Sequence, residues 1–117
     1  MKKSITSIVV GLLICFTVKA QHIPDNNFAN AIRNVCNECI DANNNLLPPA
    51  KKLEKLNVNE AHDIVNIEGV EGFSSLIVLD FRNNKNITSL PNLPVSLGEL
   101  WMGGTGVNNI GSLPSQL

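Results

Sequence analysis

One apolar triplet, Leu-x-x-Leu-x-Φ (Φ is apolar), does most to limit what this chain can fold into. Leu53, Leu56 and Val58 are followed 23 residues later by Leu76, Leu79 and Phe81. Those are followed 21 residues later by Leu97, Leu100 and Met102. Leu113 and Leu117 read as the start of one more copy. Self-similarity at a period of about 20–50 residues marks architectures that stack one small unit on the next. A single unit cannot bury its own apolar face, so the core has to run through the stack. Such a stack presents an extended surface rather than a pocket, which favours binding over catalysis.

Each copy is expected to start with a short strand, at residues 53–58, 76–81 and 97–102, and the strands to pair in parallel. Each strand then leads through a turn into a looser apolar ladder. The ladders are Ile64, Ile67, Val70 and Phe73; then Ile87, Leu90 and Leu93; then Val107, Ile110 and Leu113. Their spacing of three suits extended or 3₁₀-like turns, and Pro91, Pro94 and Pro114 exclude regular helix there. Asn84 stands where its side chain can bond turn backbone, and Thr105 is its equivalent one copy on. The turn at 59–63 is long, which blurs the register of the first copy.

Residues 1–20 read as a secretory signal peptide. Lys2 and Lys3 precede an apolar run at 8–18, and Val18-Lys19-Ala20 suits cleavage. The run is too short to span a bilayer, so no membrane insertion is expected once it is removed. Three of the nine basic residues lie in this segment, leaving 6 basic against 10 acidic residues and a formal charge of -4 over residues 21–117. A mildly acidic chain with one Trp and no Tyr argues against a nucleic-acid partner. It argues equally against adhesion to anionic lipid.

Residues 21–49 read as an N-terminal cap. The segment 23–39 is expected to be one helix opened by Pro24 and Asp25, with Asp25 or Asn26 as N-cap. Phe28, Ala31, Ile32 and Val35 form its apolar stripe, to be buried against the open end of the stack. Cys36 and Cys39 are the two cysteines left in an exported chain, and a disulfide is their simplest reading. A redox pair would need a βαβ setting, and a zinc site would need a second ligand pair that His22 and His62 do not form. Asp41, Asn43 and Asn45 imitate the start of a calcium loop. Lys52 then stands where that loop needs its bidentate Glu, so turn chemistry is the better account.

These residues resemble the leucine-rich repeat family, whose period is about 20–29 residues. The opening Ile23-Pro24-Asp25-Asn26-Asn27-Phe28 is similar to that of exported leucine-rich repeat proteins of the Bacteroidetes type. So are Cys36-Asn37-Glu38-Cys39-Ile40-Asp41 and the stretch from Ile67 to Phe73. The run Leu90-Pro91-x-Leu93-Pro94 is similar to the repeats of bacterial effector proteins. The resemblance implies a solenoid over residues 50–117, about three repeats with the last incomplete, and an N-terminal capping helix. It implies short parallel strands on a concave face and a secreted or cell-surface location. With no C-terminal cap after Leu117, the sequence reads as a fragment of a longer protein, unless something else covers that end.

Period-two alternation along each strand predicts three outward columns. They are Lys55, Val78 and Glu99; Asn57, Asp80 and Trp101; and Asn59, Arg82 and Gly103. Trp101 is the candidate anchor, with Arg82, Asp80, Glu99, Asn57 and Lys55 around it, since Trp and Arg carry much of the energy of interfaces. Its rival role is to cover the unfinished last copy. Glu60, His62 and Asp63 read as a solvated turn. Gly103-Gly104-Thr105-Gly106 reads as a tight turn rather than a phosphate loop, because the Lys-Ser/Thr that should follow is missing. Asn86-Ile87-Thr88 fits an N-glycosylation acceptor. No nucleophile and base are spaced for catalysis, and no cofactor is implied. The leading expectation is a non-enzymatic module that binds a protein, or a glycan, through its concave face in adhesion or host interaction. The alternative is the recognition arm of a larger secreted enzyme or effector.

Overall fold

The computed structural model describes residues 21–117 apart from Glu60 and His62. The signal segment and two members of the Glu60, His62 and Asp63 turn therefore lie outside the described residues. The fold is α/β, with one helix and one three-stranded parallel sheet. Helix α1 spans Asn26–Val35. Strands β1 (Lys55–Asn57), β2 (Val78–Asp80) and β3 (Glu99–Trp101) lie side by side in chain order.

The strands are the centres of the three triplets and shorter than expected. Their register pairs Leu56 with Leu79 and Leu79 with Leu100, so the second leucine of each triplet forms one inward row. Leu56 and Leu79 are fully buried, as are Leu76 and Leu97, the first leucines of their triplets. Each first leucine also closes the same turn before its strand. Its N–H donates to the carbonyl three residues back, from Leu53 to Ala50, Leu76 to Phe73 and Leu97 to Pro94. Leu117 makes that bond to Pro114. The shared leucine thus closes a turn of the same hydrogen-bond pattern in each copy, although the residues inside the turn differ.

The return segments hold the rest of the core. Ile64, Ile67, Val70 and Phe73 are buried, as is Ile87. Leu90, Leu93 and Val107 are only partly covered, and Ile110 and Leu113 are exposed. Val70–Gly72 is a 3₁₀ turn, in keeping with the spacing of three. Asn84 is buried and links two turns: its Nδ2 donates to Val58 O at 3.0 Å and to Phe81 O at 2.9 Å. Thr105 bonds only within its own turn, to Met102 O at 2.7 Å. Asn83 and Gly104 take the left-handed conformation at matching positions (φ 66° and 77°). A side chain at Gly104 would also collide with Asn83, so both conformation and space demand glycine there.

The N-terminal segment departs from the expected single helix. The backbone leaves α1 at Cys36 (φ -151°), and Asn37–Cys39 is a separate 3₁₀ turn closed by the Cys36–Cys39 disulfide. The buried face of α1 is Phe28, Ala29, Ala31 and Ile32. Val35, expected in the stripe, is 42% exposed because the helix ends there and turns it outward. Packing this face against β1 closes one end of the core. Phe28 and Ile32 are fully buried, worth about 1.5–3 kcal/mol each. Asp25 caps α1, its Oδ1 accepting from Asn27 and Phe28 N–H. Its Oδ2 accepts from Val65 N–H at 2.8 Å and Asn66 N–H at 3.1 Å. One carboxylate therefore fastens the helix to the first return segment.

The loop after the disulfide is ordered by Asx turns. Asp41 Oδ1 accepts from Asn43 and Asn45 N–H. Asn45 N–H outranks burial in setting the Asp41 carboxyl below its ordinary value. Arg33 Nη2 reaches Asp41 O and Asn44 Oδ1, both at 2.7 Å, which ties the loop to α1.

Candidate functional site

The outward side chains of the three strands form the candidate interface. The register sets Lys55 beside Val78 and Val78 beside Glu99. In the second column it sets Asn57 beside Asp80 and Asp80 beside Trp101. Lys55, Asn57, Glu99 and Trp101 are exposed, whereas Val78 is half-buried.

Asp80 differs from the outward surface group expected of it: it is 6% exposed. The cause is Arg82, two residues on and on the same side of the chain, which folds back over it. Arg82 Nε donates to Asp80 Oδ1 at 3.0 Å, and Nη2 donates to Oδ2 at 2.8 Å. The Arg82 backbone N–H adds a bond to Oδ1 at 3.1 Å. Asn59 Nδ2 approaches Oδ2 from the β1 side at 3.5 Å. The Arg82 side chain, against the opposing effect of burial, holds the Asp80 carboxyl below its ordinary range; the Arg82 N–H and Asn59 assist. Asp80 thus positions Arg82 rather than meeting a partner itself.

The guanidinium carbon of Arg82 lies 5.1 Å from the centre of the Trp101 ring, within cation–π range. Trp101 is 46% exposed, and its Nε1–H donates to Glu99 Oε1 at 3.2 Å. Asn59, Asp80, Arg82, Trp101 and Glu99 therefore form one connected row across the sheet. Each link is modest: an exposed cation–π contact is worth about 0.5–1 kcal/mol, and the ion pair, with its Arg82 side chain 44% exposed, is of the same order. Together they restrict the rotamers of two long side chains, which lowers the entropy that a partner's binding must spend.

Two expected members lie at the margin of this row. Asn57 Oδ1 accepts from Asn59 N–H at 2.9 Å and serves the turn after β1. Lys55 stands in the neighbouring column, opposite Val78. Alternation assigns Asn59 a column, but no local pattern signals its reach to Asp80. A second concavity, about 770 Å³ and polar, escaped sequence reasoning. His22, Glu68, Glu71, Asn92 and Asn109 line it. These residues come from four separate segments, so no local motif announces them. His22 Nδ1 is 3.1 Å from Asn45 Oδ1.

Among the described residues, no group of three His, Cys, Asp or Glu side chains converges to hold a metal ion. None of the described helices is long and apolar enough to cross a membrane. No protein-family model matches the chain, and comparison with curated proteins gives no significant match.

Proposed function

We propose that the chain is an exported leucine-rich repeat solenoid that binds a protein ligand through its concave strand face. Three features support the repeat reading: the triplets in register, the same turn before each strand, and Asn84 bridging successive turns. The row of Asp80, Arg82, Trp101 and Glu99 carries the binding reading. A half-exposed indole and a guanidinium held by a shielded carboxylate form a pre-set contact patch of the residue types that dominate interface energies. Mixed charge along the row suits a protein surface better than a polyanion. A glycan is the second candidate ligand, through stacking on the indole.

Trp101 is the single Trp of the chain, so its fluorescence reports on the patch directly. Titration with a defined panel of peptides and soluble glycans should shift its emission for the matching class. Arg82→Ala should weaken that binding by about tenfold or more, the loss of one interface anchor. Unchanged affinity of both Arg82→Ala and Trp101→Ala for a ligand that the protein binds would refute the assignment.

A further inference from the structure

The two halves of the Cys36–Cys39 bridge have different surroundings. Cys39 is fully buried and belongs to the core, whereas Cys36 is half-buried at its margin. Cys36, and not Cys39, lines a concavity of about 320 Å³ with Pro48, Pro49, Leu53, Glu38 and Lys52. Glu38, Pro48, Pro49 and Lys52 are exposed, so the concavity opens to solvent. The turn also carries backbone bonds of its own. Cys36 N–H donates to Ile32 O at 2.8 Å, Cys39 N–H to Cys36 O at 3.0 Å, and Leu47 N–H to Cys39 O at 2.7 Å. These bonds keep the two cysteines adjacent when the S–S bond is open.

We propose that external thiols open and re-form this bridge at Cys36 alone, with Cys39 as the leaving and resolving sulfur. Exchange needs a thiolate to reach the sulfur that it attacks. The concavity gives that access at Cys36, and the core denies it at Cys39. Of the two charges at the rim, Lys52 attracts a thiolate and Glu38 repels it, so access rather than charge selects the sulfur. The incoming thiolate bonds to Cys36 Sγ and the S–S bond breaks. Its electron pair leaves with Cys39 Sγ, which takes up a proton, and a mixed disulfide remains at Cys36. In the reverse step the Cys39 thiolate attacks Cys36 Sγ and expels the external thiol as its thiolate. A dithiol carries the reaction forward instead. Its second thiolate attacks its own sulfur in the mixed disulfide, Cys36 leaves as thiolate, and the dithiol becomes a cyclic disulfide. Apolar surroundings disfavour a thiolate at Cys39 and make it a reluctant leaving group, so the closed bridge is the resting form.

Two-stage labelling of the folded wild-type protein tests this. Dithiothreitol opens the bridge, and brief alkylation with iodoacetamide marks the accessible thiol. Unfolding in guanidinium chloride and alkylation with N-ethylmaleimide then mark the protected one, and mass spectrometry of the peptides assigns both. The first label should fall on Cys36 and the second on Cys39. Single variants checked for folding by circular dichroism give a second measurement. Cys39→Ser should take up one glutathione from glutathione disulfide at least about a hundredfold faster than Cys36→Ser. Should either variant fail to fold, the wild-type labelling decides. A first label on Cys39, equal first labelling of both cysteines, equal uptake by the two folded variants, or a bridge that opens only on unfolding would each overturn the proposal.

Discussion

Replacing Asp25 tests how the helix is joined to the rest of the fold. Its carboxylate accepts four backbone N–H bonds, two inside the first turn of α1 and two from residues 40 and 41 positions away. Asp25→Ala removes an N-cap, which costs about 1 kcal/mol. It also strands the Val65 and Asn66 N–H groups. Hydrogen bonds to charged acceptors are worth about 1.5–3 kcal/mol when shielded, but water reaches this pair, so about 1–2 kcal/mol is expected for both. The total is about 2–3 kcal/mol. Asp25→Ser keeps a capping oxygen and loses the second one. It should recover about 1 kcal/mol and leave the cross-link deficit. Burial alone would raise the Asp25 carboxyl, yet the N–H groups of Phe28, Val65, Asn66 and Asn27 together hold it below its ordinary 3.8. A carboxyl lowered in the folded state stabilises above the unfolded value and loses that contribution as pH falls through the folded value. The gap between wild type and Asp25→Ala should therefore be full at neutral pH and shrink below pH 3.8. Urea unfolding followed by circular dichroism at several pH values measures it. Equal stability of Asp25→Ser and wild type would show that the cross-link contributes nothing.

Three further substitutions probe other parts of the structure. Asn84→Ala leaves Val58 and Phe81 carbonyls without their side-chain donor and should cost about 2–3 kcal/mol in urea unfolding; Thr105→Val should cost under about 1 kcal/mol. Paired Cys36→Ser and Cys39→Ser open a very short loop and should cost no more than about 2 kcal/mol, with Trp101 emission unchanged in the folded protein. Arg82→Ala uncovers Asp80 and one face of Trp101. Indole emission should move to longer wavelength, and the Asp80 carboxyl, followed by NMR titration, should rise toward its ordinary 3.8. Since the Arg82 side chain is 44% exposed, the loss of stability should stay within about 1 kcal/mol.

The inward row was legible because a strand's alternation and a repeating triplet constrain the same residues. Leu56, Leu79 and Leu100 had to share a face if they were to share a core. The helix boundary was not legible. Phe28, Ala31, Ile32 and Val35 keep helical spacing, but nothing in that spacing records that the chain turns at Cys36 and leaves Val35 outside. Asp80 illustrates the same gap at the site. Alternation puts it on the outer face correctly, while its shielding depends on the rotamer of Arg82, which periodicity does not encode. The bonds from Asp25 to Val65 and Asn66 join residues far apart in sequence and had no local signature.

The contrast between Asn84 and Thr105 gives the molecule a direction in time. Asn84 fastens one turn to the turn before it, whereas Thr105 fastens only itself, and the core thins over the same interval. Transient opening should accordingly begin at β3 and travel toward α1, so that amide protons around 99–107 exchange with solvent well before those of the capped helix. The indole of Trp101 sits on the part that opens first. Whatever presses against that side chain would also slow the earliest step of unfolding, so that occupancy and lifetime of the folded state rise together.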